Sequence, residues 1–201
     1  MKELPMPWDQ LTRLAEVLPS FAVQGKFRQL CGELRLPCRR QDVSTAIEAL
    51  SAGELECLHS LLGYVCLSYI HSPPEIYEDS SIENIMVPLL PKTLLPNFLS
   101  IPWLCVSERL ERRPMLDYAG CVLNNWERLD PQRPLVPSNV RLLRRFTGLV
   151  DEEWFFKTHI IIEAEGSHVV SSLESINRAV KLLATNFNQI SSELRGTSVG
   201  L

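Results

Sequence analysis

Tyr118, Cys121, Val122, Phe155 and His159 are the side chains whose types and spacing can build a binding pocket. In Pro114–Trp126, read PMLDYAGCVLNNW, a helix places Tyr118, Cys121 and Val122 within one turn and on one side. In Asp151–Gly166, read DEEWFFKTHIIIEAEG, Phe155 and His159 stand four apart and share a helical face. A phenol, a thiol, a branched aliphatic, a second ring and one imidazole can line a tight apolar pocket with a single polar point. Such a pocket suits a flat aromatic ligand. The same residues also fit a plain core, with His159 as a hydrogen-bonded core imidazole beside the isoleucines. Asp117 and Gly120 flank the first stretch and are assigned no chemistry; Gly120 is read as permitting close packing. No Ser/His/Asp order and no glycine-rich phosphate loop offers a simpler catalytic pattern.

The elements that must position these residues read as mainly α. Residues 8–35 are helical, with Leu11, Leu14, Ala15 and Leu18 at helical spacing, then Phe27, Leu30, Cys31 and Leu34. Pro19 kinks or divides this segment, and Pro37 ends it. A second helical region runs from about Asp42 to Tyr69, with a break expected at Gly53 and Ser51 as a cap. His71-Ser72-Pro73-Pro74 terminates it. Pro88, Pro91, Pro96 and Pro102 then argue against a long helix. Ile85, Met86, Val87, Leu94, Leu95, Phe98 and Trp103 make this an irregular segment that packs on a core and joins two domains.

A helix is expected from Pro114, whose missing N–H costs little in a first turn. Met115, Tyr118, Ala119, Val122, Leu123 and Trp126 form its broad apolar face, and Asp130-Pro131 ends it. Val140–Phe146 reads as extended. Asp151, Glu152 and Glu153 favour a helix N-terminus there. A separate last helix is expected from about Ser167 to Leu194, stopped at Gly196. Val169, Leu173, Ile176, Val180, Leu183, Phe187, Ile190 and Leu194 alternate four and three apart along it, the spacing of a helix packed lengthwise against others. An internal bundle helix is the plainer reading of that seam, and self-association the functional one. The domain boundary is placed at 113/114: residues 1–113 form a small N-terminal domain with its Pro-rich connector, and 114–201 the first part of a larger one.

Composition narrows the function classes. The 201 residues are 45% apolar, enough for a sizeable core. A net charge of −4 lacks the basic footprint of a nucleic-acid binder. The N-terminus has no secretory apolar core, and no apolar run approaches the ~20 residues of a membrane span. The cytosol is the expected location. Cys31, Cys38, Cys57, Cys66, Cys105 and Cys121 show neither CxxC nor Cys/His zinc spacing, so free thiols are expected.

From about Leu11 to Leu194 the chain resembles the indoleamine 2,3-dioxygenase family. PMLDYAGCVLNNWERLDP over Pro114–Pro131 and RFTGLVDEEWFFKTHIIIEAEG over Arg145–Gly166 carry most of the likeness. LHSLLGYVCLSY over Leu58–Tyr69 is similar to the family's smaller domain. The resemblance implies a helical protein with a small N-terminal domain and a larger domain binding haem b. It implies oxidative opening of the indole of L-tryptophan, or a related indole, by O2 to N-formylkynurenine, at the head of the kynurenine route. Tyr118, Cys121 and Val122 match family positions where the indole sits, and Phe155 matches a ring that packs on it. His159 falls on the oxygen-binding side, where many relatives carry a small hydroxyl residue. In related tryptophan dioxygenases a distal histidine there meets the indole N–H.

The family's proximal histidine, its carboxylate-pairing arginine and its Gly/Ser-rich loop lie in the second half of the usual chain. None of His59, His71, His159 and His168 matches the proximal position, so no metal ligand is expected among them. Read alone, the chain is expected to be a truncated form that binds haem weakly or not at all and lacks dioxygenase activity. The alternative is a non-catalytic helical interaction protein derived from that family.

Overall fold

The computed structural model describes residues 4–22, 26–72 and 94–197. Ile85, Met86, Val87, Pro88, Pro91 and the side chain of Leu194 lie outside them. The architecture is mainly α. Helices α1 (Asp9–Ala22), α2 (Phe27–Gly32), α3 (Arg40–Glu48), α4 (Ala52–His71) and α5 (Asn97–Arg109) are followed by a π-helical turn at Ala119–Leu123. Strand β1 (Trp126–Arg128), a 3-10 turn at Pro137–Asn139 and strand β2 (Val140–Leu142) lead into α6 (Val150–Thr197). The strands pair antiparallel, Trp126 opposite Leu142 and Arg128 opposite Val140. The chain divides into two compact units, Met1–Ile160 and Ile161–Leu201.

In the first unit α4 is the central element, packed on α1, α2, α5 and the π turn. Leu55, Leu58, Leu61, Leu62, Tyr64 and Val65 are all buried, so this helix is apolar around most of its girth. Ser51 starts it with a capping box: the Glu54 N–H donates to Ser51 Oγ and the Ser51 N–H to Glu54 Oε2 (2.8 Å). The expected break near Gly53 is therefore real and falls at Ala49–Ser51. Leu99, Trp103, Cys105 and Val106 of α5 complete this core with Trp8, Leu11, Leu18 and Phe27.

Three sequence expectations need correction. The Pro-rich stretch is not irregular throughout: Pro96 provides an extended N-cap and α5 runs on through Pro102 to Arg109. Core burial on α4 outweighs the single backbone hydrogen bond that Pro102 lacks. Residues 114–126 are not one helix. Pro114 and Met115 lie in a bend, only Tyr118 and the π turn are helical, and Trp126 enters a strand. Met115 and Leu123 are exposed. Finally, no new helix opens at Ser167. Residues 150–197 form α6 without interruption, and Gly166 and His168 sit inside it. Gly166 has nothing near its Cβ position, so a mid-helix glycine is tolerated at modest cost.

The second unit is the remainder of α6. Val169, Leu173, Ile176, Val180, Leu183, Phe187 and Ile190 are each 56–71% exposed. No helix among the described residues is long and apolar enough to cross a membrane.

Candidate functional site

Tyr118 enters the site on a strapped turn. Asp117 takes a two-pronged ion pair from Arg112, whose other nitrogen pairs with Glu56 of α4. Its Oδ1 also accepts the Gly120 N–H at 2.9 Å. Burial opposes ionisation of Asp117, but the Gly120 N–H and the Arg112 guanidinium outweigh it and hold its carboxyl below the ordinary value. With Asp117 holding a backbone donor, the turn opens to the wider π form, closed by the Asn124 N–H on Ala119 O at 2.8 Å.

The far side of the turn is held by buried polar groups. Ser60 of α4 donates to Gly120 O at 2.8 Å, and Arg144 donates to Ser60 Oγ at 3.2 Å and meets Cys57 Sγ at 2.9 Å. Desolvation lowers the pKa of Arg144 and raises that of Cys57, against the pull of the guanidinium. Asn125 donates to Tyr64 Oη (2.9 Å) and Arg144 O (3.0 Å), fixing the exit into β1. Leu116 wedges between two glycines: a Cβ at Gly63 or Gly120 would stand 3.0 Å from its Cδ1.

Phe155 and His159 come from the first turns of α6, which Glu152 sets in place. Its carboxylate accepts the N–H groups of Phe146 (2.6 Å), Thr147 (2.8 Å) and Gly148 (3.0 Å), and the Thr147 hydroxyl. Gly148 adopts φ +71°, the left-handed region where glycine is unstrained. Phe156 and Ile160 turn into the core, which leaves Phe155 and His159 on the outer arc of the helix.

The structure brings Tyr118, Phe155 and His159 together. The His159 ring lies 4.4 Å from that of Phe155 and 6.2 Å, edge to face, from that of Tyr118. Tyr118 is 43% and Phe155 58% exposed, so the cluster is an open aromatic wall. Val122 is buried at 1% exposure. Cys121 is half-buried, its thiol 3.8 Å from the Tyr118 carbonyl, and burial raises its pKa. The His159 Nδ1 lies 2.7 Å from Phe155 O. A carbonyl only accepts, so Nδ1 carries a proton, and in the neutral tautomer with that proton the lone pair is on Nε2.

Glu56 and Ser60, which help position this wall, were not singled out from the sequence, and Glu152 was read only as part of an acidic helix start. The Arg112–Arg113 and Arg144–Arg145 pairs were read only as solvated or paired surface charges, which holds for the ion-paired Arg112 but not for Arg144, 3% exposed. The one usable signal was the acidic start at Asp151–Glu153. The other histidines do different work. His59 is fully buried with Nε2 3.1 Å from Arg113 O, and desolvation lowers its pKa. His71 and His168 are exposed. Among the described residues no cluster of His, Cys, Asp or Glu is arranged to hold a metal ion.

These features meet a family whose pattern covers the chain. The model for indoleamine 2,3-dioxygenase matches residues 1–200. Indoleamine 2,3-dioxygenase 1 of Rattus norvegicus is 29% identical over 182 residues, 90% of this chain and 40% of that protein. Its namesake from Mus musculus is 26% identical over 180 residues, covering 89% and 39%. Indoleamine 2,3-dioxygenase of Saccharomyces cerevisiae is 26% identical over 133 residues, 64% of this chain and 26% of that one. The chain thus spans about two-fifths of the length of the rodent relatives. A match of this extent, carried along nearly every residue of the sequence, means that the chain belongs to the indoleamine 2,3-dioxygenase family.

Proposed function

We propose that this chain forms the oxygen-side wall of a haem b pocket that opens the indole of L-tryptophan, or a related indole, to N-formylkynurenine. Haem, when bound, supplies the iron chemistry that adds both atoms of O2 across the indole C2–C3 bond. The residues here fit a flat aromatic group lying against them, since Tyr118 and Phe155 present open rings with the His159 imidazole between. Their work is to bind and orient the indole and to exclude water. Cys121 and Val122 back the turn that carries Tyr118.

The observation that carries this reading is the hydrogen bond from His159 Nδ1 to Phe155 O. It leaves Nε2 as an acceptor on the aromatic wall, suited to an indole N–H. None of His59, His71, His159 and His168 matches the family's proximal position in the resemblance. The chain by itself is therefore expected to bind haem weakly and to lack turnover. Six free thiols fit a reducing compartment, and the cytosol is the proposed location.

A titration with indole and N-methylindole, read by NMR on the His159 ring nitrogens, tests the binding role. Indole should shift Nε2, whereas N-methylindole, which has no N–H, should leave it in place. Equal shifts would overturn the assignment. A strong Soret band with N-formylkynurenine formation from the chain alone would overturn its proposed inactivity.

A second reading rests on the exposed seam of α6, from Val169 to Ile190. An apolar stripe of that length is a ready surface for self-association. Sedimentation equilibrium would then show concentration-dependent oligomers that Val180→Glu abolishes, and a monomer at all concentrations would exclude it.

A further inference from the structure

We infer that the last turn of α4 carries a second binding site, for a small neutral ring bearing one hydroxyl, of the phenol class. A cavity of about 330 Å³ is lined by Leu67, Ser68, His71, Ser72, Phe146 and Thr147. It shares no residue with the aromatic wall of Tyr118, Phe155 and His159, and the inference does not rest on the dioxygenase reading.

Two serines carry the argument. Ser68 and Ser72 are four apart, on one face of the helix end. They are 6% and 5% exposed, and neither hydroxyl has a hydrogen-bond partner. Buried hydroxyls normally find one. Other helical serines in this protein do so by bonding back one turn: Ser107 to Trp103 O at 2.6 Å, Ser171 to Ser167 O at 2.9 Å and Ser175 to Ser171 O at 2.9 Å. The Ser72 backbone N–H reaches Ser68 O at 2.8 Å, but neither the Ser68 nor the Ser72 hydroxyl makes such a backward bond. Two adjacent hydroxyls on a cavity wall, both without that fallback, make a site with unspent hydrogen-bonding capacity.

The remaining walls set the ligand class. Leu67 and Phe146 are apolar, and among the described residues no Asp, Glu, Lys or Arg lines the cavity, His71 being its one ionisable group, so a charged ligand would lose its hydration with little compensation. The Thr147 hydroxyl is already committed to Glu152 at 2.7 Å and His71 is exposed, which leaves the serine pair as the buried polar point. The volume lies at the small end of the range for ligand pockets, about 300–1,000 Å³, and admits a single ring.

The test is an NMR titration of the full chain with phenol and with toluene, its near-isostere that lacks the hydroxyl. Backbone amides of Phe146 and Thr147 and the Leu67 methyls report occupancy. Phenol should give saturable shifts confined to these residues, and toluene should bind at least about tenfold more weakly, a preference typical of one hydrogen bond. The Ser68→Ala/Ser72→Ala double variant removes only unpartnered hydroxyls, so its circular dichroism should match the parent, and its preference for phenol should vanish. Equal affinity for the two probes, no saturable shift with phenol (as when ordered water alone satisfies the serines), or a preference that survives in the double variant would each overturn the inference.

Discussion

His159 donates its Nδ1–H to the carbonyl oxygen of Phe155 at 2.7 Å, one turn earlier on the same helix. This bond fixes the ring orientation and the Nδ1 proton, so that Nε2 is the nitrogen open to act as the proposed acceptor. Replacing His159 with Ala removes the acceptor and leaves the ring neighbours in place. Indole affinity should fall about tenfold, the scale of one net hydrogen bond, while N-methylindole affinity should stay unchanged. Fluorescence titration of both ligands checks this. Parallel losses for the two would reduce His159 to a packing residue.

Glu152 holds the entry to α6. Its carboxylate accepts the N–H groups of Phe146, Thr147 and Gly148 in the segment that leads into the helix. Glu152→Ala should lower stability by about 1–2 kcal/mol, as losses of caps do, and should broaden the NMR signals of Phe155 and His159. Urea unfolding by circular dichroism gives the first quantity. An unchanged midpoint would show that water replaces the carboxylate without loss.

The helices were legible because their signals are local. Ser51 and Glu54 form the capping box that Ser51 suggested, and the acidic start at Asp151 does begin a helix. The separation of α3 from α4 near Gly53 was legible for the same reason. The π turn was not. Its form depends on Asp117, Arg112 and Glu56, which meet across a sequence gap of more than fifty residues, so no spacing rule announces it. Helical periodicity through Tyr118, Val122 and Trp126 suggested a longer helix, and side-chain capture of the Gly120 N–H decided otherwise. Continuity through Gly166 misled in the opposite sense, because a glycine marks a helix end only when the residues beyond it stop favouring helix. As for the candidate site, helical spacing anticipated that Phe155 and His159 share a face, but the buried Arg144–Ser60–Gly120 relay behind the Tyr118 turn left no such local signal.

His59 makes stability depend on pH in a defined direction. Burial lowers its pKa in the folded chain, so the unfolded chain binds the proton more readily. Its contribution is fully present above the unfolded value of about 6.5 and is lost as pH falls below it towards the folded value. The melting temperature should therefore drop between pH 7 and pH 5. His59→Gln should flatten that slope while lowering the melting temperature at pH 7, since the Nε2 contact with Arg113 O is disturbed. Differential scanning fluorimetry across this range decides it, and an identical slope in the variant would move the pH sensitivity to other groups.

The wedge of Leu116 between two glycines predicts unequal costs for adding one carbon. At Gly63 a Cβ would meet Leu116 at Cδ1 (3.0 Å), Cβ (3.1 Å) and backbone Cα (3.4 Å). At Gly120 it would meet only the mobile end, Cδ1, that closely, with Asp117 Oδ1 next at 3.5 Å. A side-chain tip can swing aside, whereas a Cβ and Cα move only with the backbone. Gly63→Ala should thus cost about 2–3 kcal/mol, in the range for overpacking, and Gly120→Ala about 1 kcal/mol or less. Because Leu116 leads straight into Asp117 and Tyr118, the Gly63 variant should also displace the Tyr118 ring from His159 and weaken indole binding. Leu116→Ala in the Gly63→Ala background should restore most of the lost stability, as expected when the two side chains compete for one space. Purely additive losses in that pair would place the strain elsewhere.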